Sequence, residues 1–228
     1  MSRKFSLFVC TVLLLVGGSR LHAADVVDRI VATVNNHIIL QSDWQASICY
    51  AALVDGRTLE QISPSERKAA LDRLIDQELL QEQMRSADIK QASSEEVELR
   101  IREVRKQYPQ VQDDQGWRTL LAGYGLSEQD LSERVALQLN LDRLVDRRLR
   151  PGIDIDASSI ERYYNQELLP QLRQTGEAEL PLAEVTPKIK ELLTQQKMNE
   201  LLVSWLQNLR SGSEIQTDTP AQAADGLR

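Results

Sequence analysis

Helix-start signals recur along this chain so regularly that little beyond a set of packed amphipathic helices fits between them. Ser63-Pro64 puts a cap residue before a proline at the first helical position, and Ser93-x-x-Glu96 has the form of a capping box. Ser127-x-x-Asp130 repeats that spacing, Asp156 can cap a further helix, and Ser42-Asp43 can open the earliest one through Trp44, Ile48 and Leu53. Apolar residues follow each start at helical period: Leu71, Leu74, Ile75 and Leu79, then Val97, Ile101, Val104 and Tyr108 up to the stop at Pro109. Gly116 to Gly125 reads as a shorter piece holding Trp117, Leu120, Leu121 and Tyr124. The segment after Ser127 carries two apolar lines, Leu131–Val135–Leu139 and Leu137–Leu141–Leu144–Val145, and ends at Pro151-Gly152. A helix apolar on two sides belongs in the centre of a fold.

The ends of the chain depart from this pattern. Val26 to Val34 alternates and is rich in Val and Ile, and Ile38-Ile39-Leu40 follows Asn35-Asn36. Asparagine tolerates positive φ, so a tight turn there predicts a short β-hairpin, with His37 a solvated turn residue. After a helix through Ile160, Tyr163, Tyr164 and Leu168, Gln171 to Pro181 reads as a polar connector. A long helix from about Leu182 to Leu209 places Val185, Ile189, Leu192, Leu193, Leu202, Trp205, Leu206 and Leu209 on its buried side. Ser213 to Gln216 then offers a short strand suited to pairing with the hairpin, which would otherwise be marginal in water. The expected fold class is mainly α: a multi-helix core with a short N-terminal hairpin joined by a C-terminal strand.

Residues 1–24 read as an export leader. Arg3 and Lys4 precede an apolar run from Phe5 to Val16, and small residues close the segment at Ala23-Ala24. The run falls short of the roughly 20 residues a membrane-spanning helix needs, so stable membrane insertion is not expected. Loss of the leader removes three cations and no acid, which takes the formal charge from −7 to −10. An acidic chain repels phosphate backbones, and nucleic acid is excluded as a partner. The remaining chain keeps one Cys, Cys49, and one His, His37. Cys/His nucleophilic catalysis and a His-rich zinc site therefore lack their residues. No phosphate-cradling glycine loop or metal-ligand spacing appears either, so no catalytic residue, metal or cofactor is assigned.

The order of these segments resembles the SurA-type periplasmic chaperones, specifically their N-terminal domain family. Asp25 to Asp43 is similar to the family's opening hairpin and helix start, and Leu71 to Gln81 resembles its second helix. Leu121-Ala-Gly-Tyr-Gly-Leu126 resembles a characteristic turn, Arg148 to Pro151 lies at the family's hand-over point, and Lys197 to Ile215 resembles its closing helix and strand. Relatives commonly insert parvulin-type prolyl isomerase domains before the closing helix; a domain of that kind needs on the order of 90 residues. The space between Leu168 and Leu182 is far too short, and the expected site histidines are missing.

The resemblance implies a division into a cleaved leader (1–24), core helices with the hairpin (25–170), a connector (171–181), a completing helix and strand (182–216) and a flexible tail (217–228). It also implies a non-enzymatic holdase for unfolded clients, outer-membrane proteins foremost; a helical adaptor for one dedicated envelope partner is the alternative. Met84, Trp117, Leu121 and Tyr124 are the candidates for client contact, because such binding needs uncovered apolar area and Trp and Tyr supply it with a polar handle. The same four also fit an ordinary packed core. Intact-mass measurement of the natively exported protein should show residues 1–23 or 1–24 removed; a product still carrying Met1–Ala23 would contradict the leader.

Overall fold

Asn35 adopts φ 52° and, with Asn36, turns β1 (Ile30–Val34) into β2 (His37–Leu40). The computed structural model describes residues 28–176 and 178–218; the expected leader and residues 219–228 lie outside them, while Thr217, expected to begin the flexible tail, ends a strand instead. Eight α-helices follow among the described residues: α1 (Gln41–Val54), α2 (Pro64–Arg85), α3 (Ser94–Arg105), α4 (Asp114–Gly123), α5 (Glu128–Leu149), α6 (Ala157–Tyr163), α7 (Leu169–Thr175) and α8 (Leu182–Ser211). The chain closes with β3 (Ile215–Thr217), which lies antiparallel to β1 and gives the strand order β2-β1-β3. This is the mainly α fold with a C-terminal strand joined to an N-terminal hairpin.

The caps act where their spacing places them. Ser63, Ser93 and Ser127 each accept the N–H three residues on, and Glu66, Glu96 and Asp130 reach back to the capping residue's own N–H. Asp156 accepts from Ser159 N at 2.7 Å. The start of α1 differs: the helix begins at Gln41, and the Asp43 carboxylate reaches back to Leu40 N. Gly125, at φ 67°, makes the sharp reversal between α4 and α5 that a side chain would strain.

Two apolar clusters lie on opposite sides of α5, as its double stripe requires. Leu131 and Val135 join Leu53 of α1, Val104 of α3 and Leu121 of α4. Leu141 and Leu144 pack with Leu80 of α2 and with Trp205 and Leu206 of α8. A further cluster sets Val31 and Val34 of β1 on Leu71, Ile75 and Leu79 of α2, flanked by Leu209 and Ile215 from the end of the chain. Buried Asn140 fastens the α2–α3 linker to α5, accepting from Ala92 N and donating to Gln91 Oε1. Cys49 is buried in α1, and that burial pushes its thiol above the ordinary range.

Three details correct the sequence reading. The segment expected as a connector is partly helical: α6 runs through a π-helical turn at Tyr164–Leu168 into α7, which Gly176 ends at φ 74°. Leu192, expected on the buried side of α8, is 40% exposed, because the neighbours of α8 change near its middle. Its first half packs on α6 through Val185 and Ile189, its second half on α2 and α5. His37 begins β2 rather than sitting free in the turn. Arg85 Nη1 lies 2.8 Å from its Nε2, so that nitrogen must be the acceptor, and Nδ1 faces Glu78.

α8 and β3 thus cover apolar surface that the earlier helices leave open. Arg210 adds a clasp to α2, pairing with Asp76 Oδ1 at 2.6 Å and donating to Asp72 O. A chain ending at Leu182 loses Trp205, Leu206, Leu209 and Ile215 from the core. At about 1.5–3 kcal/mol for each large side chain fully buried, and less for these partly buried ones, the expected loss is several kcal/mol. Thermal unfolding checks this: an unchanged cooperative melt of the truncated chain would show that the earlier helices stand alone.

Candidate functional site

Three of the four residues singled out from the sequence meet in one place, and that place is the interior. Trp117 (3% exposed) and Leu121 (0%) project from one face of α4, and Tyr124 (9%) follows at its end; all belong to the cluster shared by α1, α3 and α5. The Trp117 ring centroid lies 6.3 Å from that of Tyr108, and the Arg105 guanidinium sits 5.6 Å from the same Trp117 centroid as a cation–π lid. The polar handles of the tyrosines are used inside the fold. Tyr108 Oη donates to Leu53 O at 2.7 Å and Tyr124 Oη donates to Arg57 O at 2.8 Å, so both satisfy carbonyls at and beyond the C-terminal end of α1. Burial, then the Tyr124 hydroxyl, drives the Tyr108 phenol well above its usual range. Met84 is separate from these three: half-buried in the last turn of α2, it packs beside Leu80, Leu141 and Leu144.

Accessible concavity lies elsewhere. The largest cleft described, about 770 Å³, runs between α5 and α8 and reaches α3 at Glu96. Leu139 and Val145 of α5 and Met198 and Leu202 of α8 supply its apolar lining. Its lining carries three carboxylates and three guanidiniums: Arg143 pairs with Glu96 and Arg150 with Asp146 and Glu191, while Arg147 donates to Asp88 O and Asp142 has no ion-pair partner within 4 Å among the described residues. The Ser93 amide, then Arg143, holds the Glu96 carboxyl down at about 2, so this wall keeps its charge across any neutral or mildly acidic medium. An apolar strip between internally neutralised walls suits an extended chain of varied sequence, because it demands no particular counter-charge. Sequence periodicity does not reveal this cleft, since Met198 and Leu202 read as ordinary helix-face residues; only the divergence of α8 from α5 opens the space.

A second, smaller concavity of about 450 Å³ lies on the other flank of α8, against Tyr163 and the π-helical turn. Among the described residues no group of three or more His, Cys, Asp or Glu side chains is placed to hold a metal ion, and no helix is long and apolar enough to cross a membrane.

Residues 4–145 match the family model of the SurA-like N-terminal domain, a span of more than half the 228-residue chain. The match ends within α5, so α6, α7, α8 and β3 lie beyond it. No curated protein matches the sequence significantly.

The positions of Trp117 and Met84 separate core from surface roles. Trp117→Ala is expected to lower stability by about 3–5 kcal/mol, the range for removing a large aromatic from a packed interior, whereas Met84→Ala, half-buried at a helix end, costs less. Denaturant unfolding measures both; a Trp117→Ala protein as stable as the parent would place that ring outside the folding core.

Proposed function

This chain belongs to the SurA-like N-terminal domain family, and on that premise we propose that it is an exported holdase: it binds extended or unfolded polypeptides in the periplasm and slows their aggregation without catalysing prolyl isomerisation. Family membership supports a chaperone-like, polypeptide-binding role. The finer reading rests chiefly on one observation, the α5–α8 cleft, whose apolar floor and balanced charges suit clients that share no sequence. Holding requires only that apolar area stay open to a client while the chaperone itself remains folded. The cleft meets that need through half-buried Leu139, Val145 and Leu202, with buried Met198 beneath them, while the clusters around it carry stability.

The short path between α7 and α8 supports the reading without an isomerase step. Residues 176–181 alone separate the two helices, so no folded domain of ordinary size fits there. Unfolded outer-membrane proteins are the proposed clients, and the periplasmic habit of the family together with the leader read from residues 1–24 supports that compartment. In this reading Trp117, Leu121 and Tyr124 contribute to client binding indirectly, by holding α4 against α1 and α5, and Met84 borders the surface formed by α2, α5 and α8. The domain division read from the sequence remains a proposal, with the connector shortened to the residues between α7 and α8 and the closing helix and strand, to Thr217, completing the core.

The test has two arms on the same purified protein. Light scattering from an unfolded outer-membrane protein diluted out of denaturant is expected to fall in the presence of the chain, and a proline-limited refolding reaction is expected to run at its uncatalysed rate. Failure to suppress aggregation of any unrelated client, with a stoichiometric complex formed by one folded partner, would replace the holdase with a dedicated adaptor.

A further inference from the structure

On the side of the sheet away from β3, a groove of about 360 Å³ runs between β2, α2 and the first turns of α5. Its apolar floor comes from Leu74 and Leu137 beside buried Ile39, while Ile38, 56% exposed, turns to the opposite face of the edge strand. Four carboxylates border it, Asp43, Glu78, Asp130 and Glu133, against a single guanidinium, that of Arg134. Glu78 is already paired with Arg85, but Asp43, Asp130 and Glu133 have no ion-pair partner within 4 Å among the described residues. Hydrogen bonds from Ser127 hold Asp130 below the usual carboxylate range, so its charge persists.

The backbone along this groove is also open. Thr33 of β1 lies opposite Gln216 of β3 on one side and Ile38 of β2 on the other. Around it, Asn35 N donates to Glu214 O and Val31 O accepts from Asp218 N, so the odd-numbered residues of β1 direct their hydrogen bonds toward β3. The alternation of an antiparallel ladder then turns the N–H and C=O of Ile38 away from β1, toward solvent. Leu40, the next residue facing that way, has its N–H taken by Asp43 Oδ2. Ile38 is left as an unfilled donor–acceptor pair beside an apolar floor and an acidic wall.

We propose that this groove receives an extended polypeptide segment in which Lys or Arg alternates with apolar residues, the segment adding beside β2. One backbone exchange at Ile38 sets its position, its apolar side chains rest on Ile38 on the outer face of the strand, and its cations, on the alternate face, lay their stems over Leu74 and Leu137 and meet Asp130 and Glu133. The inference rests on the reading of the chain as a polypeptide binder and narrows it to a charge class. The α5–α8 cleft, lined by equal numbers of carboxylates and guanidiniums, has no such preference; the β2 groove supplies one.

Fluorescence anisotropy on the full chain at low salt, with a fluorescein-labelled ten-residue peptide alternating Val and Lys and its Val/Glu counterpart, tests this. The Val/Lys peptide is expected to bind at least about fivefold tighter, and Glu133→Lys to weaken it about two- to fivefold, the range of one exposed charge pair. Ile38→Ser should weaken it as well, and both substitutions are at the surface, so melting should stay within the parent's range. Glu161→Lys, the same charge change on exposed α6, separates the groove from general attraction to an acidic protein. Equal affinity for the two peptides, or equal loss from Glu161→Lys and Glu133→Lys, overturns the proposal. Aggregation suppression on the same samples keeps the two readings apart: suppression without charge preference removes the groove alone, and charge preference without suppression supports the groove while removing the holdase.

Discussion

Asn35 is the point at which the two ends of this chain are joined, and the stability of the hairpin depends on that join. Its N–H donates to Glu214 O at 2.7 Å, its Oδ1 accepts from Glu214 N at 2.9 Å, and its Nδ2 donates to the Glu82 carboxylate. One residue therefore ties the hairpin turn to α2 and to the segment entering β3. Its φ of 52° is one that asparagine tolerates better than most residues, so conformation and hydrogen bonding select the same side chain. Without β3, β1 would present an unpaired edge, and a two-stranded hairpin is marginal in water. The contact spans 179 residues, but closing so long a loop costs only slowly more as the loop lengthens, and the apolar burial of Val31, Val34 and Ile215 accompanies it.

From that join the division of labour follows. α5 is central because its two apolar stripes serve two clusters, and each cluster needs a cover: α1, α3 and α4 on one side, α2 and α8 on the other. α8, about 45 Å long at the usual helical rise, is longer than the surface it covers there. Its first half is left to pack on α6 and the π-helical turn through Ile160, Val185 and Ile189. Concavities lie on both flanks of α8, where its partners change. Surfaces able to hold another chain are thus a consequence of one helix serving two packing partners.

The two grooves differ in how their charge is handled. Along the α5–α8 cleft three carboxylates balance three arginines, which leaves an apolar strip between walls of no net charge. Beside β2 the carboxylates outnumber the cations, and the exposed Ile38 stands next to them. A polypeptide-binding protein with both would combine tolerance with a bias, since exposed pairs contribute little to affinity individually but discriminate by sign.

Local chemistry was legible in the sequence itself. Ser63, Ser93, Ser127 and Asp156 cap helices because a cap and the N–H it satisfies are three residues apart, and Asn35 marks a turn because φ is a property of one residue. The double stripe of α5 and the pairing potential of the C-terminal strand were readable for the same reason: periodicity is written along the chain. Only the tertiary structure decided which apolar residues are covered. Trp117, Leu121 and Tyr124 look the same in sequence whether they face a client or α1, and their burial depends on helices tens of residues away. Leu192 has the period of a buried residue and is exposed because the neighbours of α8 change there. Burial is a property of two surfaces meeting, and a sequence specifies only one of them at a time.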